Sequence, residues 1–369
     1  MKKNNIVGLI IFLANTIFAQ FQFPIPSIDY NPKTYTCYRS AELLSIDGSA
    51  FEESWIDAPW SDSFIDIEGL KKPLPYYDTK IKMLWDDAYL YFYAELEEEH
   101  IWANLRERDV EIYHDNDFEI FIDPDGDTHN YFELEVNALK TIWDLLLVKP
   151  YRDGRDVAID AYDMRGIKVG VKIKGTLNDP SDKDLGWSVE IAIPWKTISE
   201  LHTAATPPKD GDQWKLNFSR VQWKTDIKNG KYYKQRDKKT KKKLPEHNWV
   251  WSPQGIIAMH YPEMWGIVEF SYKVSNLNQP QIEISETEKA KWYLRKIYYK
   301  LRTFSASNKG FPNNLSILKL KEFTSEKFES LPKYYGNSKQ YIIELTSKDK
   351  STVVTLNNEG LVKVIKDKK

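Results

Sequence analysis

The sequence predicts a mainly β fold: an antiparallel β-sandwich of jelly-roll type, followed by a small C-terminal α+β unit. Three observations lead there. From about Ile46 to Phe270, short runs alternate apolar and polar residues, the period of a strand with one buried face. Turn formers separate these runs and no helical pattern comes between them, which favours antiparallel pairing over βαβ units. After Ser271 the period changes: Ala290, Leu294, Ile297, Leu301 and Phe304 recur at helical spacing.

Taken in order, residues 1–19 read as a signal peptide. Lys2 and Lys3 precede an apolar stretch from Ile6 to Phe18, and Ala19 offers a small residue for cleavage. That stretch is too short and interrupted for a good membrane span, although an uncleaved anchor is the alternative. A secreted or periplasmic location follows, with no transmembrane segment in the mature chain. Residues 20–39 are Pro-rich and read as a linker or edge segment. Residues 40–271 hold the sandwich. "TKIKMLW" and "YLYFYAEL" flank "DDA" as one hairpin, and "DFEIFID" and "NYFELEVN" flank "PDGDTH" as a second. "TIWDLLLV", "IKVGVKIKG", "GWSVEIAIPW", "WKLNFSRVQW" and "WGIVEFS" continue the strands, and "PWKTISEL" adds a helical turn. The run "KYYKQRDKKTKKKLPEH" reads as a solvated basic loop. Residues 283–369 form the small unit, a helix with Glu286 and Glu288 near its start, then three strands.

Among 369 residues, 41% are hydrophobic and 14% aromatic, including 13 Trp and 22 Tyr, enough to bury a large core. Trp55, Trp85, Trp187, Trp195, Trp214 and Trp265 fall in or before strands and are expected in it. A net charge of −2 gives no drive toward nucleic acid, and no nucleic-acid module is present. The one cysteine, Cys37, precludes an intramolecular disulfide.

The hairpin from Asp117 to Asn137 carries the chemistry. Residues two apart share a strand face. Phe118, Ile120 and Ile122 share one face with Phe132, Leu134 and Val136, which is core. The other face gathers Glu119, Phe121 and Asp123 with Tyr131, Glu133, Glu135 and Asn137. Carboxylates accept strongly from hydroxyls, and aromatic faces cover the C–H side of a sugar ring. Between the strands, Asp123, Asp125 and Asp127 alternate along a turn containing Gly126. Such hard oxygen ligands suit a structural calcium ion, and an acidic turn with no ion is the alternative.

"SIDGSAFEESWIDAPW", "IKMLWDDAYLY", "DNDFEIFIDPDGD", "GWSVEIAIPW" and "WGIVEF", in this order, resemble the family 9 carbohydrate-binding modules and exported proteins built on them. The resemblance implies a sandwich that binds a glycan or polysaccharide, structural calcium, and association with a glycan-degrading enzyme in carbohydrate catabolism. It implies a sugar held between two aromatic clamps. The first falls at Tyr113, six residues before Glu119, which takes the place of a sugar-contacting acid. The second falls near Met259, with His260, Tyr261 or Trp143 as helpers. Glu135 stands where the family has an arginine. The ligand candidates are therefore Tyr113, Glu119, Glu135, Asn137, Trp143, Met259 and His260, with Asp123, Asp125 and Asp127 for calcium and no catalytic residue.

Three alternatives stay open. Glu119, Glu133 and Glu135 could serve a β-sandwich glycoside hydrolase, since two carboxylates on one strand face have a workable separation. His100, His114, His129 and His260 with Met259 could be axial ligands to haem. The sandwich could also be structural or adhesive, presenting the C-terminal unit.

Overall fold

The segment read as a linker or edge instead runs through the middle of the sheet system as β1 (Thr34–Arg39). The computed structural model describes residues 23–367 except Leu201, Thr203, Ala205, Ser275, Asn276 and Asn278, so the signal-peptide reading lies outside the described residues. The prolines of this segment precede β1 and leave its six residues free to pair. Tyr35 and Cys37 point into the main core and Tyr38 into a second cluster, so both faces are buried.

After β1 come α1 (Glu53–Asp57), β2 (Ile65–Asp66), β3 (Thr79–Trp85), β4 (Tyr89–Glu97), β5 (Asp117–Asp123) and β6 (Tyr131–Asn137). Then follow β7 (Ile142–Leu147), β8 (Ala158–Ile159), β9 (Lys168–Lys174), β10 (Gly186–Pro194), α2 (Trp195–Ile198) and β11 (Gln213–Gln222). A ribbon of β12 (Thr225–Lys228) and β13 (Lys231–Lys234) precedes β14 (His247–Val250) and β15 (Gly266–Val274). The strands pair in the order β8-β7-β6-β5-β11-β15-β1-β3-β4-β10-β9, with β14 beside β11 and β2 beside β14. The order wraps into a sandwich. Most pairs are antiparallel, as the sequence predicts, and β1 is parallel to both β15 and β3.

The core forms where the alternation places it. Phe118, Ile120 and Ile122 of β5 meet Phe132, Leu134 and Val136 of β6 in one cluster with Met83, Phe92 and Phe218. Phe118 stacks on Phe218 at 6.1 Å between centroids. Each such side chain contributes roughly 1.5–3 kcal/mol by leaving water. The six tryptophans expected in the core are all buried.

The basic run is only partly a loop. Asn229 and Gly230 both take positive φ (50° and 67°), the geometry of a tight hairpin turn, and they join β12 to β13. Lys234 lies 3.3 Å above the Trp223 ring centroid. Burial, then Lys243, lowers its ammonium to about 8.

In the C-terminal unit, α3 (Glu286–Asn308) packs on a four-stranded antiparallel sheet of β16 (Lys333–Gly336), β17 (Tyr341–Thr346), β18 (Thr352–Asn357) and β19 (Val362–Lys366). The sequence pattern lacked β16, which is short and mostly exposed. The Ser285 hydroxyl caps α3 by accepting from Glu288 N at 3.2 Å. The unit is seated on the sandwich rather than strung from it. Lys215 of β11 pairs with Glu288 at 2.9 Å, Glu263 lies 3.7 Å from Arg295 of α3, and Tyr30 stacks on Trp292 at 4.7 Å. No helix among the described residues is long and apolar enough to cross a membrane.

Candidate functional site

The β5–β6 hairpin owes its register to its turn. Asp123 is buried, and its two carboxylate oxygens accept from Gly126 N at 3.0 Å and Thr128 N at 2.9 Å. Gly126, Thr128 and Asn130 take the positive φ that the turn requires. The C-terminal unit clasps it from outside: Val362 N donates to Asp127 O at 3.1 Å, and Arg295 to Thr128 Oγ1 at 3.1 Å. With register fixed, Glu119 stands directly across from Glu135, Phe121 from Glu133 and Asp117 from Asn137. On the outer sides of this pair, Ser219 of β11 lies beside Glu119 and Trp143 of β7 beside Glu135.

The face opposite the main core is not a solvent face, since every residue of β5 and β6 is buried. Phe121 and Tyr131 pack with Met259, Trp265 and Leu145 in a separate apolar cluster. The acids beside them form the floor of a cleft of about 340 Å³. Glu119, Glu133 and Glu135 lie at its base. Tyr113, Trp143 and Tyr151 supply aromatic walls, Met259 and His260 close another side, and Glu111, Glu246 and Asn248 stand at its margins. Five of its lining residues are glutamates and none is lysine or arginine. A larger depression of about 480 Å³ lies beside Trp60 and Trp187. Four of its charges are matched in pairs, Lys174 with Glu95 at 2.9 Å and Lys80 with Asp78 at 3.0 Å, so it has less to offer a polar ligand.

Short helical turns deliver two of the walls. Tyr113 belongs to the turn Ile112–His114, which is pinned to the sheet because its backbone N–H donates to Glu135 Oε2 at 2.8 Å and its carbonyl accepts from Trp223 Nε1 at 2.8 Å. Tyr151 belongs to the turn Tyr151–Asp153 and stands edge-on to His260 at 4.5 Å. The Tyr113 and Trp143 rings are 6.3 Å apart and inclined by 34°. A ring held between two others needs about 3.5–4 Å on each side, so these two form one platform rather than two jaws.

Burial dominates the electrostatics. It raises Glu119 to about 7, with Glu246 adding to the effect. Burial and Glu119 together push Asp117, Glu133 and Glu135 well above the usual carboxylate range. Burial, then Arg152, lowers His260 to about 3, so its imidazole is neutral. Its Nδ1 lies 3.0 Å from the Tyr131 hydroxyl, and the 3.9 Å approach of Nε2 to Glu133 is not an ion pair at neutral pH.

The structure thus brings Tyr113, Glu119, Glu135, Trp143, Met259 and His260 to one cleft. Asn137 is the exception. Its amide donates to Leu105 O at 2.9 Å and Asp115 Oδ2 at 3.1 Å, and its carbonyl accepts from Leu139 N and Thr141 N at 3.0 Å each. Every group it could offer a ligand is used, the carbonyl in shaping the β6–β7 turn and the NH2 in holding Leu105 and Asp115. Met259 is also committed, packed in the apolar cluster with Gln254 Nε2 3.1 Å from its sulfur. Of the four histidines, His260 alone lines the cleft, while His100 meets the Tyr232 hydroxyl at 3.2 Å. Sequence reasoning missed Tyr151, Glu246 and Asn248. Tyr151 lies between two strands, and Glu246 lies near the end of the basic run with Asn248 just beyond it, where no period marks them. Arg152, next to Tyr151, turns away to Glu263.

Asp123, Asp125 and Asp127 each present a carboxylate oxygen within 4.8 Å of the others, a donor set suited to a hard cation. Two features compete with an ion there. Asp123 already caps the turn, and the Lys291 ammonium reaches Gly126 O at 3.1 Å and Asp125 O at 3.4 Å.

Residues 46–209 match the family model described as carbohydrate family 9 binding domain-like. Among characterised proteins, the exoglucanase XynX of Acetivibrio thermocellus is 26% identical over 121 residues, which are 33% of this chain and 9% of that protein. Among solved structures, a candidate carbohydrate-binding protein from Bacteroides uniformis has a TM-score of 0.48 and 18% identity, covering 65% of this chain and all of that one. A family 9 carbohydrate-binding module from Caldicellulosiruptor kristjanssonii, solved with cellotriose, has a TM-score of 0.41 and 17% identity, covering 67% of this chain and all of its own. The matched span contains Tyr113, Glu119, Glu135 and Trp143 but stops short of β11, β14, β15, Met259 and His260. Residues 46–209 are thus similar to the carbohydrate family 9 binding domains, and strands from either side of that span complete the sandwich.

Proposed function

We propose that this protein binds a carbohydrate in the cleft above β5 and β6, without turning it over. One observation carries the reading: an aromatic platform of Tyr113 and Trp143 stands beside a floor of acceptor groups, inside the span that matches the family. A sugar ring lays its C–H face on the platform and its hydroxyls meet Glu133, Glu135 and Asn248. Tyr151 stands at the same cleft and takes the part of the second clamp better than Met259, which is packed away. Glu119 keeps one oxygen, Oε2, sealed from solvent, which leaves Glu133 and Glu135 to meet the ligand.

The proposal has outer parts. The N-terminal signature supports export to the periplasm or the medium, and the family match supports a place in polysaccharide breakdown, beside a glycan-degrading enzyme. Calcium at Asp123, Asp125 and Asp127 would brace the turn against the C-terminal unit, in competition with Lys291. A glycan array read with and without chelator tests the whole. Wild type binds at least one glycan, and Tyr113→Ala with Trp143→Ala weakens it at least about tenfold, the loss of roughly 1.4 kcal/mol of stacking. An array with no signal in either condition overturns the reading. If calcium braces the turn, chelation lowers the melting temperature by several degrees, and an unchanged value removes it from that site.

A further inference from the structure

We infer that the floor of the cleft is itself a cation site, where Asp117, Glu119 and Glu135 hold one divalent ion of calcium's size, separate from any ion at the Asp123–Asp127 turn. The inference does not depend on a glycan being bound.

Geometry comes first. One carboxylate oxygen from each of the three residues lies within 4.8 Å of the others, and all three residues are buried. Calcium–oxygen bonds of about 2.3–2.6 Å set oxygens up to about 5 Å apart around one ion, whereas magnesium's shorter bonds draw them closer and keep several waters. The register forces the approach, because Glu119 and Glu135 are directly opposed across two strands, a like-charge pairing that destabilises a sheet.

The second observation is a set of missing partners. Asp117 Oδ2 and Glu119 Oε2 are buried and accept no hydrogen bond. Neither does the Ser219 hydroxyl, which belongs to no acidic cluster and sits beside Glu119 in the ladder. It lies close enough to Glu119 to favour the ionised carboxylate, yet it makes no hydrogen bond of acceptable geometry. Two buried carboxylate oxygens without partners, with a serine hydroxyl beside them on the same strand face, are costly unless something positive lies among them.

The described residues supply no such charge. No lysine or arginine lines the cleft. On β11, Arg220 alternates to the opposite side, where its guanidinium meets Thr79 Oγ1 at 3.0 Å. Lys234 feels Asp117 and Glu246 but rests on the Trp223 ring. A ligand-borne ammonium does not fit either, because the unpartnered oxygens are sealed from solvent and a group tethered to a sugar ring cannot reach them. A single ion can.

The test strips the full chain with chelator, then reloads it with calcium alone, counting bound ions by mass spectrometry and following terbium emission sensitised by Trp143, the cross-strand neighbour of Glu135. Wild type should recover the floor ion. Glu119→Gln with Glu135→Gln should lose one equivalent and at least tenfold of the terbium emission, while Asp125→Asn at the turn should keep that equivalent. An ion count in the double variant equal to wild type overturns the inference, as does an Asp125→Asn protein that takes up none. If the double variant fails to fold, Asp125→Asn carrying Trp143→Phe decides: an ion retained with the terbium emission lost supports the floor site, and emission undiminished places the ion elsewhere.

Discussion

The cleft floor and the joint between the sandwich and the C-terminal unit bury charged groups to a similar depth, with opposite results. In the joint two buried glutamates each meet cations. Glu263 accepts from Arg152 at 2.9 Å, lies 3.7 Å from Arg295 and takes the Tyr299 hydroxyl. Glu288 lies between Lys215 at 2.9 Å and Lys291 at 3.5 Å. Burial alone would raise both carboxyls, yet the adjoining cations hold Glu263 below its usual range and Glu288 at about 2. On the floor the same burial acts without cations, and every carboxyl moves upward. Buried charge that is paired holds a structure together, whereas buried charge left unpaired beside a cleft marks the place where something else binds.

The sharpest way to break this contrast is to unpair the joint. Glu263→Ala leaves Arg152 and Arg295 buried without their shared counter-charge, and should cost about 3–5 kcal/mol in chemical denaturation. A loss under about 1 kcal/mol would mean that the joint tolerates unpaired charge as well as the floor does. Glu288→Gln gives a smaller and pH-dependent effect. The Glu288 carboxyl is depressed in the folded state, so its contribution is fully present above the unfolded value near 4.5 and is lost as pH falls through about 2. The gap between wild type and Glu288→Gln should be up to about 3 kcal/mol at pH 7 and narrow steadily from about pH 4.5 downward. A gap that does not change between pH 6 and pH 3 would show that the ammonium of Lys215 is not what holds the carboxyl down.

One side of this contrast, the acids of the hairpin, could be read before the structure, and the part that could not has a physical cause. A period of two is a local signal, so the faces of β5 and β6, and with them Glu119, Glu133 and Glu135, were legible residue by residue. Whether the second face meets solvent is not local. It is decided by the 256–265 segment folding back over Phe121 and Tyr131, more than 100 positions away in sequence, and nothing in the hairpin announces it. Separation along the chain also hid β1, whose prolines suggested an edge while its partners, β15 and β3, come later in the sequence. Asn137 was misjudged for the opposite reason: it shares the acidic face by period, but its turn, four residues long, claims its amide first. The joint was invisible because Lys215, Arg152 and Arg295 each look like ordinary surface cations until the partner that buries them is in place.

The smallest effect separates a pair of readings that the larger ones leave together. If the floor acids merely tolerate one another by keeping protons, replacing Glu135 by its neutral isostere should matter little with or without metal. If they await a cation, the sign of the effect depends on that cation. In chelator, Glu135→Gln removes one of two directly opposed acids while a glutamine oxygen can still accept from Tyr113 N, so the variant should gain about 0.5–1 kcal/mol over wild type. In saturating calcium it should instead fall below wild type, because binding to the folded state alone stabilises by an amount that grows with affinity, and the variant has lost a ligand. Thermal unfolding of both proteins in both conditions makes four measurements. A crossing of the two pairs is the expected outcome. Parallel shifts would mean that the acids of the cleft floor are held apart by protons and that no ion is missing from it.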